Sequence, residues 1–259
     1  MLYCNMIRIV IPTPKTEAEY CQTVQYKCLS KLSSTNGLLI EYNEEYNPDA
    51  LELKIIANNS SGLSKVYNDY LQSSNNTEII GDIVVFMHDD LEIHDQFFVE
   101  KLVKAHEIYD IVGLAGAVSQ KYTNDKPSVW HLCREKTEDA RGIVSHFMPK
   151  GFNNSANAHY NSAYFGPTPS PVKVIDGLFM SVNVRTIREK LKDVELFDNS
   201  FDFHHYDMAM AINADKHNIS MGVWPIFCVH HGLGEFDTPE WKKSHQTFIQ
   251  KYGNMQTKL

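Results

Sequence analysis

The chain has 259 residues, and 24 Lys and Arg against 32 Asp and Glu give a formal charge of −8 with His neutral. At 43% hydrophobic and 22% charged residues it has the composition of a globular protein able to bury a substantial core. The net negative charge argues against nucleic acid as a partner.

Ile7–Ile11 is a short β-branched apolar run stopped by Pro12-Thr13-Pro14, the pattern of a buried parallel strand. Thr16 and Glu19 stand at capping-box spacing before a helix on which Ala18, Cys21, Val24, Cys28 and Leu32 share a face, closed by Gly37. Leu38–Tyr42 and Leu53–Ala57 predict two strands. Leu63, Val66, Tyr67, Tyr70 and Leu71 form one face of a short helix after Gly62. Ile83–Met87 is another buried strand, ending abruptly in His88-Asp89-Asp90. A helix is predicted around Asp95–Tyr109, followed by the apolar run Ile111–Val118.

Lys150–Pro171 is rich in Asn, Ser, Gly and Pro and carries neither period, which predicts a long loop of the kind that forms lids. Val172–Ile175, a strand over Leu178–Val184, a helix over Thr186–Leu191, a helix after Asp207 and a strand over Ile219–Trp224 follow. The tail is an amphipathic helix, with Thr238 as cap, Pro239 in the first turn, and Trp241, Phe248, Ile249 and Tyr252 on one face. The β-α-β alternation predicts an α/β fold, a mostly parallel sheet with helices on both faces. Ligands would then sit at the carboxyl ends of the strands. No linker interrupts the chain, so one domain is expected over 1–259.

The longest apolar runs fall far short of the ~20 residues of a bilayer helix, and Met1–Arg8 lacks the pattern of a secretory signal. Cys4, Cys21, Cys28, Cys133 and Cys228 form no C-x-x-C pair and read as reduced thiols. The expected location is cytoplasmic, free or peripheral at a membrane.

Three groups of residues carry chemistry. His88-Asp89-Asp90 sets two carboxylates at the end of a buried strand, suited to a divalent cation that also binds phosphate oxygens; a plain strand-to-loop turn is the alternative. Gly62-Leu63-Ser64-Lys65-Val66-Tyr67-Asn68 opens a helix whose N-terminus attracts phosphate, or is simply a helix start. His204-His205 and His230-His231 are adjacent pairs, whose rings point apart on most backbones. No H-E-x-x-H, H-x-H, C-x-x-C or G-x-S-x-G pattern is present.

The order of these segments resembles a family 2 glycosyltransferase of the GT-A fold, in particular its streptomycin-biosynthesis-type branch, over Ile7–Tyr252. Ile9-Val10-Ile11-Pro12-Thr13 is similar to the opening strand and Gly62-x-Ser64-x-x-x-Asn68 to a G-x-S/A-x-A-R-N segment. Phe86–Asp90 stands at the D-x-D signature, and Val174–Met180 at the V-D-G segment. Phe197-Asp198 and Tyr206–Met210 resemble the stretch holding the base, and Pro225–His230 with Gly234 the closing P-x-x-x-V-x-H-x-x-G stretch.

The resemblance implies a Rossmann-like three-layer sandwich, a nucleotide-sugar half over 1–95 and an acceptor half over 96–259. It implies a donor that is a nucleotide-diphosphate sugar, UDP-linked, and a hydroxyl acceptor that is glycan, lipid-linked or protein-linked. Asp207 is then the catalytic base. Asp90, His230 and, as an auxiliary, Asp89 hold Mn²⁺ or Mg²⁺. Pro12, Thr13, Glu41, Asn43, Asn59, Gly62, Ser64, Asn68 and Asp89 contact the nucleotide, and Asp176, Gly177, Tyr206 and Trp130 the acceptor. The chain departs from the pattern at His88, which replaces the first D-x-D carboxylate, at Tyr67, where the family has Arg, and at Tyr206, where it has Glu. A catalytically silent nucleotide-sugar-binding module and a metal-dependent hydrolase are the alternative readings.

Overall fold

The computed structural model describes residues 6–40, 51–72, 83–123, 127–232, 234, 236–253 and 255–259. Strand β1 (Ile7–Pro12) leads into the short helix α1 (Glu17–Tyr20), where Thr16 and Glu19 make the expected reciprocal capping box. Helix α2 (Val24–Ile40) begins after a break. It runs through Gly37, so the strand expected from Leu38 does not start there. A short apolar run such as Leu38-Leu39-Ile40 fits either period, and continuation of the helix decides it. Strand β2 (Leu51–Ile56), helix α3 (Leu63–Gln72) and strand β3 (Ile83–Met87) follow.

The chain then becomes less regular. Strand β4 (Leu91–Ile93) precedes helix α4 (Phe98–His106). The apolar run at 111 divides into β5 (Ile111–Gly113), β6 (Ala115–Ala117) and β7 (Ser119–Lys121), which join three different sheets. Strands β8 (Ala140–Met148), β9 (His159–Gly166), β10 (Ser170–Val172), β11 (Val174–Ile175) and β12 (Phe179–Asn183) come next. Helices α5 (Val184–Leu191) and α6 (Tyr206–Lys216), strands β13 (Met221–Val223) and β14 (Cys228–His230), helix α7 (Pro239–Tyr252) and strand β15 (Gln256–Lys258) complete the chain.

The expected long loop over 150–171 therefore contains β9, which pairs antiparallel with β8 from Met148 to Gly142. Most of β9 is exposed on both faces, so its sequence shows no alternation; the backbone ladder to β8 makes the strand.

The main sheet has the order β10-β13-β5-β12-β3-β1-β2. Pairs β1–β2, β1–β3 and β13–β5 are parallel, whereas β12 lies antiparallel to both β3 and β5 and β10 antiparallel to β13. The sheet is mixed, not mostly parallel as expected. The buried run Phe179–Asn183 reads the same in either direction, and only its insertion between β3 and β5 reveals the sense. A second sheet, β11-β6-β8-β14-β4 with β9 on β8, adds a further layer that the sequence did not predict.

Ile9, Val10, Ile11, Val84, Val85 and Phe86 are fully buried on adjoining strands. Tyr67, on α3, stacks on Phe86 with ring centroids 4.3 Å apart. Tyr67 is thus part of an aromatic core. Among the described residues, no helix is long and apolar enough to cross a membrane.

Candidate active site

Two cavities meet where β3 ends. The smaller, about 420 Å³, is walled by the reversals after β1 (Pro12, Pro14), after β2 (Asn59 to Leu63) and after β3 (Met87 to Asp90), with Asp202 and Phe203 opposite. The three strands are parallel neighbours, so their carboxyl ends open on one edge, as open α/β sheets dictate. Asn58 adopts the left-handed φ of 53°, which Asn tolerates, and its N–H bonds to the Lys15 carbonyl. The Asn59 side chain closes a local turn on both the N–H and the carbonyl of Ser61. Gly62 packs so closely on Asp202 that a Cβ would overlap it, and Leu63 donates its N–H to the Asp202 carbonyl at 2.6 Å.

The larger cavity, about 770 Å³, is walled by aromatic and imidazole side chains. Trp130, His146, Phe165, His204, Phe236 and Trp241 contribute from the second sheet, the loops and α7. His88, Asp90 and Phe203 border both cavities.

At this junction one ligand atom each of His88, Asp90 and His230 lies within 4.8 Å of the others. Backbone bonds assemble the cluster: His88 donates its N–H to the Leu178 carbonyl at 3.1 Å, and His231 donates to the Asp90 carbonyl at 3.0 Å. His230 Nε2 stands 3.3 Å from Asp90 Oδ1. His231, one residue on, turns to the other side of β14 and meets Glu92. The strand pleat thus separates the pair, with His230 in the cavity. His88 Nε2 bonds to the Tyr206 hydroxyl at 2.8 Å, and that hydroxyl donates to the Gly177 carbonyl at 2.8 Å. With its proton on Nε2, His88 keeps Nδ1 as a lone pair, the arrangement of a metal-binding imidazole held by an outer partner.

The electrostatics suit a cation. Burial, with His230 beside it, lowers the His88 pKa and keeps the ring neutral. Burial opposes ionisation of Asp90, yet His230 and His88 hold its carboxyl below the usual range. Burial also works against charge on His230, and Asp90 outweighs it to raise that pKa. Among the described residues, Asp90 Oδ1 and His230 Nδ1 are buried without a hydrogen-bond partner. A Cβ on Gly232 would approach Asp90 Oδ2 and His230 Nε2 to 2.7 Å, so glycine leaves this side open. Two imidazoles and one carboxylate fit a divalent cation.

Asp207 sits in the first turn of α6. Its Oδ2 accepts the Gly177 N–H at 3.1 Å and its Oδ1 accepts the Met208 N–H at 2.8 Å. Burial and the neighbouring Asp176 carboxylate push its pKa up to about 7. Asp176 itself accepts from Trp130 Nε1 at 2.9 Å and from the Leu178 N–H at 3.2 Å. A Cβ on Gly177 would overlap the Tyr206 hydroxyl. Asp176, Gly177, Tyr206, Trp130 and Asp207 all line the larger cavity.

The chain belongs to the glycosyltransferase-like family. Its sequence matches that family over residues 10–252, in agreement with a family 2 glycosyltransferase, and the mixed α/β architecture is consistent with the GT-A fold. No curated protein matches it. Among solved structures it is similar to A197 from STIV, at 12% identity over 88% of this chain and 86% of that one, with a TM-score of 0.40. It is also similar to HddC from Yersinia pseudotuberculosis complexed with GMP-PN, at 10% identity over 94% and 100% of the two chains, with a TM-score of 0.40.

Not every residue expected in the site lies there. Asp89 stands apart from the Asp90 cluster and accepts from Thr13 Oγ1 at 2.5 Å and from Lys15 Nζ at 2.6 Å, at the smaller cavity. Asn68 is buried and pins α3 to the Phe197 backbone at 2.8 and 3.0 Å, and Ser64 is buried among core residues. Both are interior residues of α3, not part of a cavity wall. Thr13 is fully buried and reaches the site through Asp89. Pro12, Asn59 and Gly62 line the smaller cavity, while Glu41 and Asn43 lie outside the described residues. Sequence reasoning missed His88 as a cluster member, although it occupies the first D-x-D position. It also missed His146 and Phe203, which sit in no motif. The His146 ring is 5.5 Å from that of His230, and Phe203 stacks on His88 at 5.9 Å.

Proposed function

We propose that the protein is an inverting, metal-dependent glycosyltransferase that moves a sugar from a nucleotide-diphosphate donor, UDP-linked, to a hydroxyl acceptor, and that it belongs to the streptomycin-biosynthesis-type branch. The observation that carries this reading is Asp207: a carboxyl held near neutrality faces the same cavity as the His88–Asp90–His230 cluster, and the cluster also borders the smaller cavity. In this reading residues 1–95 hold the nucleotide and residues 96–259 hold the acceptor, within one domain.

Asp90, His230 and His88 would hold the cation. When bound, a divalent cation supplies Lewis-acid neutralisation of the leaving diphosphate. Pro12, Asn59, Gly62 and Asp89 shape the nucleotide pocket. The helix start at Leu63 turns backbone N–H groups toward that end of the sheet. Asp207 takes the proton from the acceptor hydroxyl as it attacks, a service worth about 10²- to 10⁴-fold. Its pKa near 7 balances proton affinity against being ionised at working pH. Trp130, fixed by Asp176, lines the larger cavity where the acceptor would lie. One base and in-line attack imply inversion at the anomeric carbon.

The test is a panel of nucleotide sugars with and without Mn²⁺, read by thermal stabilisation and by diphosphate release. Mn²⁺-dependent stabilisation by a UDP-sugar, with transfer to a sugar hydroxyl, is expected. Stabilisation without turnover on any acceptor would indicate a silent binding module. Release of phosphate from simple esters without a nucleotide sugar would indicate a hydrolase.

A further inference from the structure

Away from both cavities, one donor atom each of Cys28, Glu92 and His94 lies within 4.8 Å of the other two. Cys28 is on α2, Glu92 on β4, and His94 directly follows β4. Strand β4 is the last in the order of the second sheet, and α2 packs against it. Cys28 Sγ donates to the Ile93 carbonyl at 3.0 Å and stands 3.9 Å from His94 Nδ1. A sulfur at ~2.3 Å and a nitrogen at ~2.0 Å from a tetrahedral zinc are about 3.6 Å apart. The sulfur–nitrogen pair is therefore already near the span that a shared ion requires.

Glu92 supplies the anionic oxygen. Its side chain is only 8% exposed, and its ion-pair partners among the described residues are the imidazoles of His94, at 2.7 Å, and His231. A buried carboxylate held by imidazoles alone carries charge that a cation would offset more fully than they do. Burial and the Glu92 charge push the Cys28 thiol up, so sulfur keeps its proton until a cation displaces it.

We propose that Cys28, Glu92 and His94 form a second metal site, for Zn²⁺ or a cation of similar softness. Sulfur, imidazole and carboxylate together match zinc and exclude Mg²⁺ and Ca²⁺, which take oxygen. Three protein ligands leave the fourth position to water. The Cys28 contact is to His94 Nδ1 and the Glu92 contact to Nε2, so the His94 ring, 39% exposed, would turn to give a single nitrogen to the ion and open its contact with Glu92 from 2.7 Å to the separation of two co-ligands. His231 then orients Glu92 from behind, as an outer partner of a metal ligand. The ion would tie α2 to the last strand of the second sheet.

The experiment uses the intact protein stripped of metal with a chelator and titrated with Co²⁺. A near-ultraviolet thiolate-to-cobalt absorption band is expected, because the His88–Asp90–His230 cluster contains no sulfur and cannot produce one. Cys28→Ser and, separately, His94→Ala should abolish the band and lower the zinc content of the reloaded protein by one equivalent per chain. His94 is exposed, so its substitution leaves the fold intact even if that of Cys28 does not. Absence of the band in the wild-type protein, or its persistence in either variant, overturns the assignment.

Discussion

The smaller cavity is walled by chain reversals at the ends of β1, β2 and β3, whereas the larger one is walled by side chains from β8, β14, α6, α7 and the loops between them. The first is shaped largely by backbone, so its form follows from turn residues such as Asn58, Asn59 and Gly62. The second is shaped by aromatic rings and imidazoles whose positions depend on how two sheets meet. A site of the first kind suits a ligand with fixed chemistry, such as a diphosphate. One of the second kind suits a ligand that differs between related proteins, because single side chains retune it.

Substitutions can separate the two walls. The largest effect is expected for Asp207→Asn: transfer should fall by about 10²- to 10⁴-fold, while Mn²⁺-dependent nucleotide binding, measured by calorimetry, stays intact. Transfer that survives would break the division of labour by assigning the base elsewhere. In the unsubstituted enzyme, activity should rise with pH through about 7, as the raised Asp207 carboxyl loses its proton.

Tyr206→Phe removes the hydroxyl between His88 and the Gly177 carbonyl. Losing an outer partner of this kind typically costs about 10- to 100-fold in metal affinity. A cation titration should show that loss, with little change in nucleotide binding measured at saturating Mn²⁺.

Gly62→Ala tests the backbone wall. The new Cβ would overlap Asp202, whose carbonyl also accepts the Leu63 N–H, so the 202–203 loop must shift. A destabilisation of about 1–3 kcal/mol is expected, read in urea, together with weaker nucleotide binding.

A further effect is on stability. Because Asp207 holds its proton to about 7 in the folded chain and to 3.8 ordinarily, this group makes folding less favourable as pH rises between those values. Asp207→Asn should therefore raise the melting temperature by a few degrees at pH 8 and have no such effect near pH 3.

Much of the first half was legible in the sequence. β1 and β3 fell where their β-branched runs stood, and the capping box at Thr16 formed as spelled. Asp90, Asp176, Gly177, Tyr206 and Asp207 do gather at one cavity. The departures from the expected placement share a cause. Asn68 and Ser64 match a motif by spacing, but the face of α3 they occupy is turned into the core, and spacing does not report rotation. Asp89 and Asp90 are adjacent, yet consecutive residues leave the backbone in different directions, and only Asp90 meets the histidines. His146 belongs to a strand whose sheet was not foreseen, so nothing near it in sequence marked it.

The sequence by itself determined the family, strands β1 and β3, and the capping box at Thr16. These depend on local periodicity, caps and turn chemistry, which act over a few residues. Only the tertiary structure decided that β12 runs antiparallel, that His230 rather than His231 faces Asp90, and that His88 completes the cluster through Tyr206. Each depends on contacts between residues about ninety to one hundred and forty positions apart, and no local pattern encodes the direction in which a buried strand is inserted.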